Sequence, residues 1–144
     1  MKSEFLSFFN ELKNVDCKPN IVQLSIDGLM YTSAKIPADL GFPLLAKLGA
    51  LLGPGFLQYL STSEEDAEMD GILRVIERAS MMDTVGLVKE LLQNMQCNKL
   101  STSGDSGKVN SDFGAHFAGE YLHMMKVAVF AVAHNMRGFT RGAN

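Results

Sequence analysis

Residues 121–136 read YLHMMKVAVFAVAHNM and carry one formal charge, Lys126. Wound as a helix, the stretch spreads apolar side chains nearly all round, with Tyr121, Met125, Val129 and Val132 on one side and Val127 and Phe130 on another. A helix apolar on every side is either central to a domain or covered by something else. The 43–60 segment has the same character, since Lys47 is the only charge between Leu40 and Leu60. A domain of 144 residues has room for about one central helix of this kind. Two of them call for either a well-filled core or a surface that a partner covers. Nine methionines point the same way, because Met side chains repack around varied neighbours.

The composition closes off several functions. At 47% hydrophobic and 20% charged residues the chain is globular rather than disordered. A net charge of −3 leaves no basic face for general nucleic-acid binding. Cys17 and Cys97 are too few for a disulfide framework or a zinc ribbon, and reduced thiols in a cytosol fit them best. The opening MKSEFLSFFNEL places Glu4, Ser7 and Asn10 inside what an export signal would keep apolar. No run reaches the length of a membrane-spanning helix, so no membrane contact is expected.

Punctuation along the chain sets the expected elements. Phe5, Phe8, Phe9 and Leu12 recur at helical spacing, and Lys18-Pro19-Asn20 ends that helix. Asp27-Gly28 then sits between β-branched runs, the strongest short hairpin signal, and predicts a hairpin over 21–36. After Pro37 the chain turns helical, with Pro43 suited to a first turn and Gly53-Pro54-Gly55 as a break. Ser61 and Glu64 form a capping box for a helix over 61–82, whose start is crowded by acidic residues from Glu64 to Asp70. A further helix near 83–96 buries Val85, Val88, Leu92 and Met95. Residues 98–111 read as a polar mobile loop, with room for a minor strand pair around Leu100 and Val109. The last helix runs from about 112 to 137. These elements describe one domain over 1–144, mainly α: a small helical bundle of four to five helices with an N-terminal β-hairpin.

Three constellations invite a chemical reading. Gly104-Asp105-Ser106-Gly107 copies the nucleophile segment of trypsin-like proteases, but that mechanism needs a long double β-barrel which a short helical chain cannot supply. Gly107-Lys108 lacks the spacing, the following Ser or Thr, and the preceding strand of a phosphate loop. On the last helix, His116, Glu120, His123 and His134 are expected on one narrow face, and Glu120 with His123 forms a Glu-x-x-His. No second Glu-x-x-His exists among the three His of the chain. A mononuclear zinc site from His116, Glu120 and His123 is the remaining metal reading. A half-buried helix face with locally bonded polar groups is the simpler one. No catalytic residue, metal or cofactor is expected.

In layout and in one motif the chain resembles the tail assembly chaperones of long-tailed bacteriophages. The shared layout is an N-terminal hairpin, a Pro- and Leu-rich helix, an acidic-capped helix, a variable polar loop and a final helix. The motif is Phe113-x-x-His116-Phe117-Ala118-Gly119, leading through the apolar helix to Asn135 and then Gly138-Phe139. The Ser/Gly loop and Lys126 depart from the family pattern.

This resemblance implies a non-enzymatic helper that binds the tape-measure protein and keeps its hydrophobic helices soluble while tube subunits polymerise. It implies action in the cytoplasm of the infected bacterium and absence from the finished virion. The tail tube protein is a second expected partner. Client contact is expected on the two apolar helices, through Leu44, Leu48, Phe56, Tyr59, Met124, Met125 and Phe130. Phe113, His116, Phe117 and Gly119 then read as structural. The alternative is a structural or oligomeric adaptor of the virion, whose apolar faces pair with other copies of the chain.

Overall fold

The computed structural model describes residues 2–52, 84–102 and 107–140. Helix α1 (Lys2–Lys13) leads into strands β1 (Ile21–Ile26) and β2 (Leu29–Ala34), then helix α2 (Ala38–Leu52). Helix α3 (Thr84–Leu91), strand β3 (Met95–Cys97) and the short helix α4 (Asn98–Thr102) follow. A 3-10 turn (Val109–Asp112), the short helix α5 (Phe113–His116) and helix α6 (Tyr121–Thr140) complete the chain. The expected helix over 61–82 and the break at Gly53-Pro54-Gly55 lie outside the described residues, as do the first three residues of Gly104-Asp105-Ser106-Gly107.

The hairpin forms where the Asp-Gly pair places it. Asp27 and Gly28 have φ of 51° and 86°, the two positive values that a type I′ turn requires. The register runs from Ile26 opposite Leu29 to Ile21 opposite Ala34. Alternation sorts the side chains, so Val22 and Ile26 of β1 and Tyr31 and Ser33 of β2 are buried while Gln23 and Ser25 stay exposed.

A third strand changes the fold class. Met95–Cys97 pairs antiparallel with β2, giving a sheet of order β1-β2-β3. The fold is therefore mixed α/β, with helices packed on a small sheet, rather than a helical bundle with an appended hairpin. The helix expected to reach residue 96 ends at Leu91, where the Met95 amide turns back to the Leu92 carbonyl. Met95 and Cys97 are buried on the alternating face of a strand, while Gln96 is exposed. Val85, expected in the core, is exposed on α3, and Val88, Leu91 and Leu92 make its buried face. Much of the expected polar loop is ordered as well. The bridge there joins Gln96 to Lys108, not Leu100 to Val109, and both of those side chains are buried.

Helix α6 is the centre of the molecule. Every residue from Lys126 to Asn135 is buried, and the helix contacts α1, α3, β1 and β2. Its Phe130, with Leu12, Ile26, Tyr31, Leu44, Leu92 and Met95 from other segments, are the largest fully buried side chains among the described residues and members of one core. Each such apolar side chain contributes about 1.5–3 kcal/mol on burial. Helix α2 starts directly after Pro37, whose carbonyl accepts the Leu40 and Gly41 amides, so Pro43 lies inside the helix rather than at its first turn. Among the described residues no helix is long and apolar enough to cross a membrane.

The helix expected over 112–137 is broken. Gly119 takes a φ of 73°, a left-handed conformation that a helix interior excludes. The chain turns through Phe117–Glu120, and the Glu120 carbonyl then receives the Met124 amide as α6 begins.

Candidate functional site

A polar cluster, buried except at Asp27, joins the hairpin to the two C-terminal helices. Asp27, at the hairpin turn, accepts hydrogen bonds from Lys126 Nζ at 2.9 Å and from His123 Nδ1 at 2.9 Å. The other nitrogen of His123, Nε2, lies 2.6 Å from the Tyr31 hydroxyl. That hydroxyl also meets His116 Nε2 at 2.7 Å. With neutral imidazoles only one proton order satisfies these contacts. The ionised Asp27 takes the proton of His123 Nδ1, so His123 Nε2 accepts from Tyr31 and His116 Nε2 donates to the Tyr31 oxygen. His116 Nδ1 is then a lone pair, buried without a hydrogen-bond partner.

A second group fixes the far end of the sheet. His134 Nε2 lies 2.8 Å from the Pro19 carbonyl, which can only accept, so this nitrogen carries the proton. His134 Nδ1 accordingly accepts from the Ser33 hydroxyl at 2.7 Å. At the next residue, Asn135 Oδ1 accepts the Ile36 amide at 2.8 Å and its Nδ2 donates to the Ala131 carbonyl at 2.9 Å. Asn98 does similar work at the hairpin, where its Oδ1 accepts the Met30 amide and extends the β2–β3 ladder past Cys97.

Burial and charge set the protonation states. Burial pushes His116 below its ordinary value, helped by the nearby Lys99 and His123, and burial lowers His134 as well. Burial alone would raise Asp27. The hydrogen bonds from His123 and Lys126, with the Lys126 charge, outweigh it and hold the carboxyl below the usual carboxylate range. Tyr31 is pushed well above a free phenol, first by burial and then by the Cys97 thiol beside it. Its side chain is 0% exposed, so no substrate can reach the hydroxyl that an Asp-His-Tyr relay would activate.

The zinc reading fails on geometry. The break at Gly119 separates His116 from α6 and leaves Glu120 exposed. Among the described residues no three His, Cys, Asp or Glu side chains come together as a metal site. His116 and His123 do converge, but on Tyr31. Sequence reasoning missed Tyr31 and Asp27 as members of the cluster. The signal for Asp27 was present in Lys126, a lone cation in an apolar helix that must find a carboxylate when buried.

The residues expected at a client surface fall into three groups. Leu44 and Phe130 are core side chains and offer no surface to a partner, because the inner face of α2 and the centre of α6 pack inside the molecule. Met124 and Met125 are partly buried at the core's margin. Phe56 and Tyr59 lie outside the described residues, and so does the Leu48 side chain. In the motif, Phe113, His116 and Phe117 are all buried and stack edge to face, with ring centroids 5.2 Å apart for the two Phe and 4.7 Å for His116 and Phe117. Among the described residues the large apolar side chains that do face solvent are others: Leu40 at 52% and Phe42 at 64% on α2, Val85 at 55% on α3, Tyr121 at 69% at the start of α6, and Ile21 and Met30 on the hairpin.

A mostly buried polar cluster and exposed apolar helix positions thus share a small mixed α/β fold. The sequence profile of the family described as "Phage tail assembly chaperone protein, TAC" matches residues 27–143, and the chain belongs to that family. Every side chain of the cluster, from Asp27 to Asn135, falls inside the matched span. No curated protein and no solved structure matches the chain.

Proposed function

We propose that this tail assembly chaperone binds the tape-measure protein of its phage and shields that client's apolar helices until tube subunits enclose them. Membership of the family over residues 27–143 is the observation that carries the reading. The exposed apolar side chains of α2 support it, since Leu40 and Phe42 stand in solvent beside a buried Gly41 and Leu44. A client helix offers the same kind of surface, and joining the two removes both from water. The protein performs no chemistry in this role. It works in the cytoplasm of the infected bacterium, meets the tail tube protein as tube growth displaces it, and is left out of the finished virion.

Leu40→Ser with Phe42→Ser tests the surface directly. Both positions are exposed, so the fold should tolerate the change. Co-expressed with the tape-measure protein, this variant should leave the client in the pellet while the parent chain holds it in solution. A variant as effective as the parent would remove α2 from the client surface. Deleting residues 121–144 would not discriminate, because α6 is the core and the whole chain would unfold.

A further inference from the structure

The two edges of the sheet are finished differently. Beyond β3, the Cys97 amide donates to the Gly107 carbonyl at 2.8 Å and Gln96 bridges to Lys108, so that edge is covered. Beyond β1 no described residue pairs. The Asn20 carbonyl accepts the Lys35 amide, and the register carries this alternation through Val22, Leu24 and Ile26. Those residues bond inward to β2, so the N–H and C=O groups of Ile21, Gln23 and Ser25 point outward along the edge. All three side chains are exposed as well. Natural open edges are guarded by charge, proline, bulges or shortness. Strand β1, IVQLSI, is six residues long with no charge, no proline and an unbroken register.

We propose that this edge pairs with the same edge of a second copy, making one continuous six-stranded antiparallel sheet across a two-fold axis at Gln23. A two-fold operation pairs a strand antiparallel with itself, as an isologous interface requires. Gln23 then faces Gln23 of the second copy, and Ile21 faces Ser25, each pair exchanging both backbone hydrogen bonds. The flanks favour the same register. Exposed Lys18 beyond one end of each strand comes alongside the Asp27-Gly28 turn of the second copy, where the Asp27 side chain is 46% exposed. Unlike charges therefore meet at both ends of the paired strands, and no charge is buried between them. The inference stands on the strand geometry and holds whether or not the client is the tape-measure protein.

Light scattering coupled to gel filtration, run over a range of protein concentrations, reads the oligomer directly. The parent chain should be a dimer that dissociates on dilution. Gln23→Lys sets two lysines face to face at the axis and should raise the dimer dissociation constant by about tenfold, and Gln23→Glu should do the same. Far-UV circular dichroism checks that both remain folded. An equimolar mixture of the two variants should recover the dimer, because opposite charges then meet. As an independent readout, Gln23→Cys should form a disulfide-linked dimer under mild oxidation, since such a strand pair holds its Cα atoms about 5.5 Å apart. A parent chain that stays monomeric at every concentration would overturn the proposal. So would a dimer that ignores both charge variants and fails to crosslink through Cys at 23.

Discussion

Lys126 Nζ lies 2.9 Å from Asp27 Oδ1, joining the second turn of the central helix to the turn of the hairpin across most of the chain. The Lys126 side chain is 10% exposed and that of Asp27 46%. This asymmetry makes the pair a dependence of one partner on the other. Asp27 can still reach water if the ammonium is removed, whereas Lys126 would keep only the longer contact to Glu4 Oε2 at 4.0 Å. The lone cation in an apolar helix thus joins His123, His134 and Asn135 in fixing the hairpin's position on α6.

Unequal losses should follow when the two partners are removed singly. Asp27→Asn keeps a residue that tolerates the positive φ of the turn but strips the nearer counter-charge from a buried ammonium, leaving Glu4 at 4.0 Å. Urea denaturation should show a loss of about 1–2 kcal/mol, moderated by the exposure of Asp27. Lys126→Met leaves a solvated carboxylate and should cost less than about 1 kcal/mol. Equal losses would show that the ammonium is better solvated than its burial indicates.

Tyr31→Phe should be more damaging than its single lost oxygen suggests. The hydroxyl serves His116 and His123 together, so its removal leaves two buried ring nitrogens without partners. A loss of about 2–3 kcal/mol is expected by urea denaturation. Nitrogen-detected NMR of the parent chain checks the proton order, with His134 protonated at Nε2 and His123 at Nδ1. The opposite tautomer at His134 is incompatible with its bond to the Pro19 carbonyl.

Acid should destabilise the fold in two stages. His116 and His134 sit below their ordinary value of 6.5 when folded, so the unfolded chain takes up protons first as pH falls. Stability is therefore complete above that value and declines as pH drops below it. Asp27, held below 3.8, adds a second loss in the same direction once the pH nears 4. Urea midpoints measured from pH 8 down to pH 5 should fall, and His134→Gln should flatten the first stage. A midpoint that rises on acidification would contradict the neutral assignment of these histidines.

Gly119 and Gly114 make a matched pair of probes. A Cβ at either position meets nothing within 4 Å, so neither substitution creates a clash. Only Gly119 holds a positive φ, and Gly119→Ala should cost about 1–2 kcal/mol in backbone strain. Gly114→Ala lies in helix α5 and should be neutral or slightly stabilising. Thermal melts of the two variants, compared side by side, separate the helix break from simple crowding.

The sequence carried some of these features and hid others for physical reasons. Asp27-Gly28 fixed the hairpin because the turn chemistry is local, and the apolar 121–136 run marked the central helix because so few charges can be buried. Strand β3 was concealed because Leu92 and Met95 fit a helical stripe, while the strand is only three residues long and is held by Tyr31, Thr32 and Ser33. The break at Gly119 was concealed by the even spacing of His116, Glu120 and His123, which suits one helix face but is not used as one. Val85 was misplaced because an amphipathic pattern gives a buried stripe without its exact edges. The polar cluster needs residues from both ends of the chain, and spacing along one helix could show only part of it. Expectations at Phe56 and Tyr59 fall beyond the described residues.

The central claim is that this protein keeps a tape-measure protein in solution by direct contact, and titrated co-expression tests it most directly. The tape-measure protein of the same genome is expressed at a fixed level while this chain is induced in steps, and soluble client is sized by gel filtration at each step. The account predicts soluble client that rises with the chain and elutes with it as one complex. Client that stays insoluble at every step, beside free chain of unchanged size, would contradict it.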